Sequence, residues 1–200
     1  SLYNMFAAIP GVKVVVPSNP YDAKGLLMSA IQEDNLVVFS EDKTLLGQKG
    51  NVPEEPYTIE IGKANVTREG DDLTIVAIGK MVAVAEETAE KLAEDQVSVE
   101  VIDLRSVSPW DQETVLDSVK KTGRLIVIDE SNPQCNIAGD VASVIGDVGF
   151  DYLDGPIKKV TAPDTPVPFA ANLEAAYMPN ADKVLDIASE LIDDLKKANA

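Results

Sequence analysis

Two hundred residues, 45% of them apolar, with a mean hydropathy of -0.01, make an ordinary globular composition, and no window approaches the roughly 20 apolar residues that cross lipid. Seventeen basic against 34 acidic residues leave a net charge of -17, which repels phosphate backbones and anionic lipid, so neither nucleic acid nor a membrane is an expected partner. The lone Cys135 excludes an internal disulfide and points to a reducing, cytoplasmic setting, while the lack of any histidine removes the commonest general base and the usual zinc sites.

In chain order, Ser1-Leu2-Tyr3-Asn4-Met5-Phe6 has no initiator methionine and no basic region followed by a long apolar run; it reads as an internal start that lacks an N-terminal part. Val12 to Val16 is a β-branched run closed by Pro17, and Ser18-Asn19-Pro20 supplies a helix cap with proline at the first helical position. The spacing predicts a helix to about Asp34 with Leu26, Leu27, Ala30 and Ile31 on its buried side, then a strand over Leu36 to Phe39. This is a βαβ unit with parallel strands, whose unfinished sheet needs the missing N-terminal part to cover its edge.

From Glu41 to about Arg68 the pattern dissolves into Gly47, Gly50, Pro53, Pro56 and Gly62, the composition of a connection. Alternation then resumes. Strands are predicted over Leu73 to Ile78, Val97 to Ile102, Leu125 to Asp129 and Pro156 to Val160. Helices are predicted over Met81 to Glu94, Pro109 to Lys121 and Asn136 to Val148. Ser108-Pro109 reads as a cap plus first-turn proline, and Gly123 as a left-handed C-terminal cap. A closing helix from Ala181 to about Lys197 lines up Val184, Leu185, Ala188, Leu191, Ile192 and Leu195. The fold class is therefore α/β: a three-layer α/β/α domain with a mostly parallel sheet over about 66–200, preceded by a partial α/β domain.

Candidate chemistry is sparse. Asp129 and Glu130 end a buried strand, where open α/β sheets bind ligands; they either hold a metal or act as acid and base, or build the turn and cap the next helix, and the second reading is preferred. Gly79-Lys80 could cradle an anion at a helix start, but no spaced-glycine fingerprint accompanies it, so it is read as a tight connection. Cys135 has no neighbouring base to activate it and is expected to fill space near a helix start; Trp110 needs only a packing role. Ala162-Pro163-Asp164-Thr165-Pro166-Val167-Pro168-Phe169 is a stiff extended loop tipped by an aromatic ring, either an interface or a plain connection.

Several runs resemble one family. Pro10-Gly11-Val12-Lys13-Val14-Val15-Val16-Pro17-Ser18-Asn19-Pro20-Tyr21-Asp22-Ala23-Lys24-Gly25-Leu26-Leu27 is similar to the β subunit of the thiamine-diphosphate-dependent first component of 2-oxo-acid dehydrogenase complexes. So are Val101-Ile102-Asp103-Leu104-Arg105 with Ser108-Pro109, Lys121-Thr122-Gly123-Arg124-Leu125, and Asp164-Thr165-Pro166-Val167-Pro168-Phe169, all in the family's order.

The resemblance implies that 1–55 is the tail of a pyrimidine-binding domain with the start of a linker, 56–65 the rest of the linker, and 66–200 a transketolase-like C-terminal domain. It implies thiamine diphosphate and Mg2+ in the intact complex. It also implies that the family's activating glutamate and catalytic histidine precede Ser1, so no catalytic or cofactor-binding residue is expected in this chain, which should be inactive alone. A potassium site is implied at Ala30, Ile31, Glu33 and Asn35, held by backbone carbonyls, with Leu36 where the family often has proline. Expected partners are an α subunit, a second β subunit in a heterotetramer, and the lipoyl acyltransferase core. Asp154 is the implied contact with a basic binding domain of that core, its alternative being a turn residue. The string Asp129-Glu130-Ser131-Asn132-Pro133-Gln134-Cys135 is nearer to acetoin than to pyruvate dehydrogenases.

Overall fold

The computed structural model describes residues 1–198, with side chains through residue 192. A short helix α1 (Tyr3–Ala7) leads into β1 (Lys13–Val15). Asn19 then caps α2 (Pro20–Gln32) by accepting from the Asp22 N–H at 2.9 Å, with Pro20 in the first turn. β2 (Val37–Phe39) returns parallel to β1, with Lys13 opposite Val37, which completes the expected βαβ unit.

The buried side of α2 is narrower than its spacing predicts. Leu26 is enclosed, but Leu27 and Ile31 are 44% and 72% exposed. The cause is the chain returning over the helix on another side: a Cβ on Gly25 would lie 2.6 Å from Ile59 Cγ1, and the Ile59 N–H donates to the Gly25 carbonyl. That places Gly25 and Ser29 inward and the Leu27–Ile31 row outward.

After an irregular stretch with one 3-10 turn at Lys43–Leu45 come β3 (Asn65–Arg68), β4 (Leu73–Ala77), α3 (Met81–Glu94), β5 (Val99–Asp103) and β6 (Ser106–Ser108). Then follow α4 (Gln112–Thr122), β7 (Leu125–Asp129), α5 (Ile137–Val148), β8 (Lys158–Thr161), α6 (Ala171–Tyr177) and α7 (Ala181–Ala198). Five strands form one sheet in the order β3-β5-β4-β7-β8, parallel except for the antiparallel edge strand β3; the other sheet is β2-β1-β6, with β6 antiparallel to β1.

Strand alternation builds the three layers. Leu73, Ile75, Val101, Ile126 and Ile128 face α3 and α7. Val76, Ile102, Leu125 and Val127 face α4 and α5, and Val14 and Val16 from the β1 segment join that second core. Both faces are covered, which is why β4, β5 and β7 are buried along their whole length and β7 is apolar up to Asp129. Each fully buried Ile or Leu contributes about 1.5–3 kcal/mol.

Several boundaries differ from expectation. β3 lies inside the predicted connection, because a four-residue edge strand with one bulge carries too little periodicity to stand out. Ser108 is not a cap: it lies in β6 opposite Val14, and α4 is capped by Asp111. α6 interrupts the stretch read as a connection to the last helix. Cys135 is exposed rather than filling space; it sits at φ 50° in the loop ahead of α5. Gly123 is the left-handed cap expected, at φ 69°. Leu195 and Lys197 lie outside the residues whose side chains are described. No helix among the described residues is long and apolar enough to cross a membrane.

Candidate functional site

The parallel strands β4, β5 and β7 end on one side of the large sheet, and the β1 end meets them there: a Cβ on Gly79, which sits at φ 56°, would lie 3.1 Å from Val16 Cγ1. This is where open α/β sheets gather their functional groups. Three polar clusters occupy it.

Tyr3, from α1, donates its hydroxyl to Asp129 Oδ1 at 2.5 Å, and the Ser131 N–H donates to the same oxygen at 2.9 Å. Asp129 is fully buried and its Oδ2 has no partner. Burial, then the adjacent Asp129 charge, push the Tyr3 hydroxyl well above its ordinary pKa, so Tyr3 stays a neutral donor. Asn4 completes the attachment, donating to Ser131 Oγ at 2.9 Å and accepting from the Ile137 N–H at 3.0 Å, at the start of α5.

Lys80 lies between Asp42 at 3.3 Å and Glu130 at 3.0 Å. Burial works against its charge, but the two carboxylates outweigh it and raise the ammonium above its usual range. Two carboxylates already neutralise this cation, so it offers no free charge to an anion. Gly79-Lys80 is the tight connection that the sequence suggests. Asp129 and Glu130 likewise do separate work, and the cap of α5 is Asn136, accepting from the Gly139 N–H at 2.8 Å.

The third cluster joins Ser18 and Asp22 to Asp103 and Arg105. Ser18 Oγ donates to Asp103 Oδ2, the Arg105 N–H donates to Asp103 Oδ1 at 2.9 Å, and Arg105 Nη2 pairs with Asp22 Oδ1 at 2.6 Å. Asp103 and Asp22 are both fully buried. Burial pushes Asp103 up to about 7, against the lowering effect of Ser18 and Arg105. The sequence singles out none of Tyr3, Ser18, Asp22, Asp103 and Arg105 as a functional candidate; the available signal is that Asp103, like Asp129, directly follows β-branched residues at the end of its strand.

The family-implied positions lie away from these clusters. Ala30 and Ile31 fall in the last turn of α2, Glu33 is its C-terminal cap with ψ 138°, and Asn35 lies in the turn before β2. Among the described residues no loop N–H returns to cap that end, so its last carbonyls keep lone pairs free. The Glu33 carboxylate is taken by Lys13 at 2.7 Å, leaving the Glu33 carbonyl as its donor. Hard cations favour oxygen ligands such as backbone carbonyls. No group of three or more acidic, cysteine or histidine side chains that could hold a metal exists among the described residues.

Asp154 is exposed in the turn before β8. Its N–H donates to the Gly123 carbonyl at 2.8 Å, so it closes a turn against the end of α4 and leaves its carboxylate at the surface. Trp110 is half-buried against the core, and Phe169 stands fully exposed at the tip of its loop.

A two-sheet α/β protein of this order, with its polar groups at the strand ends, has the architecture of a transketolase-type subunit. The chain belongs to the transketolase C-terminal domain family, whose pattern matches residues 62–184; the transketolase pyrimidine-binding domain matches residues 1–49. It is 54% identical to the acetoin:2,6-dichlorophenolindophenol oxidoreductase subunit beta of Bacillus subtilis (strain 168), over 96% of this chain and 56% of that protein. From the same organism, the pyruvate dehydrogenase E1 component subunit beta is 47% identical, over 96% of this chain and 59% of that protein, and the 2-oxoisovalerate dehydrogenase subunit beta 41% identical, over 96% and 60%. A solved structure, a split gene transketolase described as an inactive beta4 tetramer, superposes with a TM-score of 0.81 at 24% identity, over 96% of this chain and 60% of that one. The chain thus spans a little over half the length of the curated relatives it matches.

Proposed function

We propose that this chain is the C-terminal portion of the β subunit of a thiamine-diphosphate-dependent dehydrogenase that cleaves acetoin or, second, decarboxylates a 2-oxo acid, and passes the acyl group to lipoamide. The observation that carries this is the 54% identity to an acetoin oxidoreductase β subunit along 96% of the chain, against 47% and 41% for the two 2-oxo-acid relatives. In this reading 1–55 belongs to a pyrimidine-binding domain, 56–65 is linker and 66–200 the C-terminal domain. The α subunit and a second β subunit complete a cytoplasmic heterotetramer that holds thiamine diphosphate and Mg2+. The cofactor does the bond-breaking, and protein groups position it. In the described clusters Lys80 and Arg105 are each paired with a carboxylate, which suits a supporting role for this portion.

Two sites belong to the proposal. The carbonyls of Ala30, Ile31, Glu33 and Asn35 would hold K+ and stiffen the end of α2. Asp154 would pair with a basic binding domain of the acyltransferase core, helped by the -17 charge of the chain. The alternative is a module that only assembles and docks. Turnover by the full-length β subunit with its α partner separates the two: acetoin or pyruvate oxidation coupled to a lipoyl acceptor is expected, and no turnover of acetoin or any 2-oxo acid would leave the docking module. Asp154→Ala is expected to weaken core binding about tenfold or more while leaving that turnover intact.

A further inference from the structure

The N-terminal βαβ segment joins the rest of the chain where β1 pairs with β6 within the small sheet, and the Ser18–Asp22–Asp103–Arg105 cluster closes one end of that seam. Ser18 and Asp22 come from the turn after β1 and the first turn of α2; Asp103 and Arg105 come from the end of β5 and the turn into β6. The turn is held in an unusual shape. Arg105 sits at φ 58°, a left-handed conformation that non-glycine residues seldom adopt, while its carbonyl accepts the Val16 N–H at 2.8 Å. Asn19 Nδ2 donates to Asp22 Oδ2 at 2.8 Å, so the Asp22 carboxylate is satisfied from both sides.

The charges do not balance if every acid ionises. The charged groups facing Asp103 are Asp22 and Arg105, and its other partner is the neutral Ser18 hydroxyl. Neighbouring strands place Asn65 and Ala77, both uncharged, beside it. One guanidinium, already paired with Asp22, would have to serve two fully buried carboxylates. An uncompensated buried charge is costly, whereas a carboxyl protonated on Oδ2, which then donates to the Ser18 hydroxyl while Oδ1 still accepts the Arg105 N–H, is not.

We propose that this cluster is a proton-operated clasp between the two halves of the chain: Asp103 with its proton holds the β1–β6 seam shut, and loss of that proton sets two carboxylates against one guanidinium and loosens it. The clasp goes beyond the proposed enzymatic role and stands independently of it. Because folding holds Asp103 near 7, above the ~3.9 of an unfolded aspartate, its contribution is whole below about pH 4 and is lost as pH rises through about 7.

The test is chemical denaturation of the full chain at about pH 5.5, 7 and 8, beside Asp103→Asn, which keeps the neutral shape. Relative to the variant, the wild-type unfolding constant is expected to rise about tenfold between about pH 5.5 and 7 and to level off above that. Protection of the Val16 amide against hydrogen exchange should fall over the same interval. Parallel profiles for the two proteins would overturn the clasp. If Asp103→Asn does not fold, carboxyl-labelled aspartate in the wild type gives a second measure. One carboxyl should titrate near pH 7 and move to lower pH in Asp22→Asn; an aspartate set that titrates wholly below about pH 5 overturns the proposal.

Discussion

Gly70 and Gly123 separate two reasons why a position needs glycine. At Gly70 the obstacle is main chain: a Cβ would lie 2.1 Å from the Val99 carbonyl carbon and 2.3 Å from the Glu100 nitrogen, at the point where β5 begins. At Gly123 the nearest atom is Asp154 Oδ2, 2.4 Å away, and that side chain can rotate aside; the remaining cost is a left-handed φ of 69°. Gly70→Ala is therefore expected to lose about 2–4 kcal/mol, since only a shift of the sheet edge makes room. Gly123→Ala should lose about 1–2 kcal/mol, the cost of a side chain in the left-handed region. Urea denaturation of both variants checks the order, and a larger loss at Gly123 would show that the edge by Gly70 slides freely. Neither contact is visible from spacing, because each glycine meets a partner about 30 residues away.

Among the elements, α4 shows how a helix is fastened by residues from outside it. Thr74 on β4 bonds Ser118 at 2.6 Å and Thr122 at 2.7 Å, and buried Glu100 on β5 receives Lys121. Its start is fixed by Asp111, which accepts from the Thr114 N–H at 3.2 Å, the Thr114 hydroxyl at 2.8 Å and the Ala64 N–H at 3.1 Å. Burial opposes that charge, but Thr114, Ala64 and Lys63 hold the carboxyl below its ordinary range. A depressed folded-state pKa contributes stability that is present above the unfolded value of ~3.9 and is lost as pH falls through the folded one. Asp111→Ala should cost about 1–2 kcal/mol at neutral pH, and the gap to wild type should narrow below about pH 4. A gap constant with pH would mean that the cap acts without its charge. The cap also shows what the sequence made legible. Short, mostly apolar β-branched runs and period-3.6 runs placed β4, β7, α3 and α5 within a few residues, whereas Ser108-Pro109 carried the stronger local helix-start pattern and lost to pairing of β6 with β1. The short strands β3 and β6 owe their state to partners, Asp103 opposite Asn65 and Val14 opposite Ser108, which no local window contains. The same holds for the strand-end clusters: Tyr3 and Asp129 are 126 positions apart, Ser18 and Asp103 are 85, so motif spacing marks neither.

Over the whole molecule, charge dominates. With 34 acidic and 17 basic residues, pairing every cation once would still leave 34 - 17 = 17 carboxylates unpaired. Among the described residues seven basic side chains are seen in ion pairs, and Lys63, Lys80, Lys91 and Lys121 already serve two carboxylates each. Such a surface repels itself over distances that salt shortens, from about 30 Å at 0.01 M to about 10 Å at 0.1 M. Raising NaCl across that range is therefore expected to stabilise the chain by about 1 kcal/mol, or roughly 2–4 °C in Tm. Screening depends on ionic strength alone, so KCl should match NaCl unless the potassium ion binds the folded state, which would add RT ln(1 + [K+]/Kd). The carbonyl set at Ala30, Ile31, Glu33 and Asn35 makes that addition the expected result: at equal ionic strength KCl should raise Tm further than NaCl and saturate. Thermal melts in the two salts decide it. Coincident curves would remove the cation from the end of α2 and keep the screening, whereas no rise in either salt would mean that the excess carboxylates lie too far apart to repel.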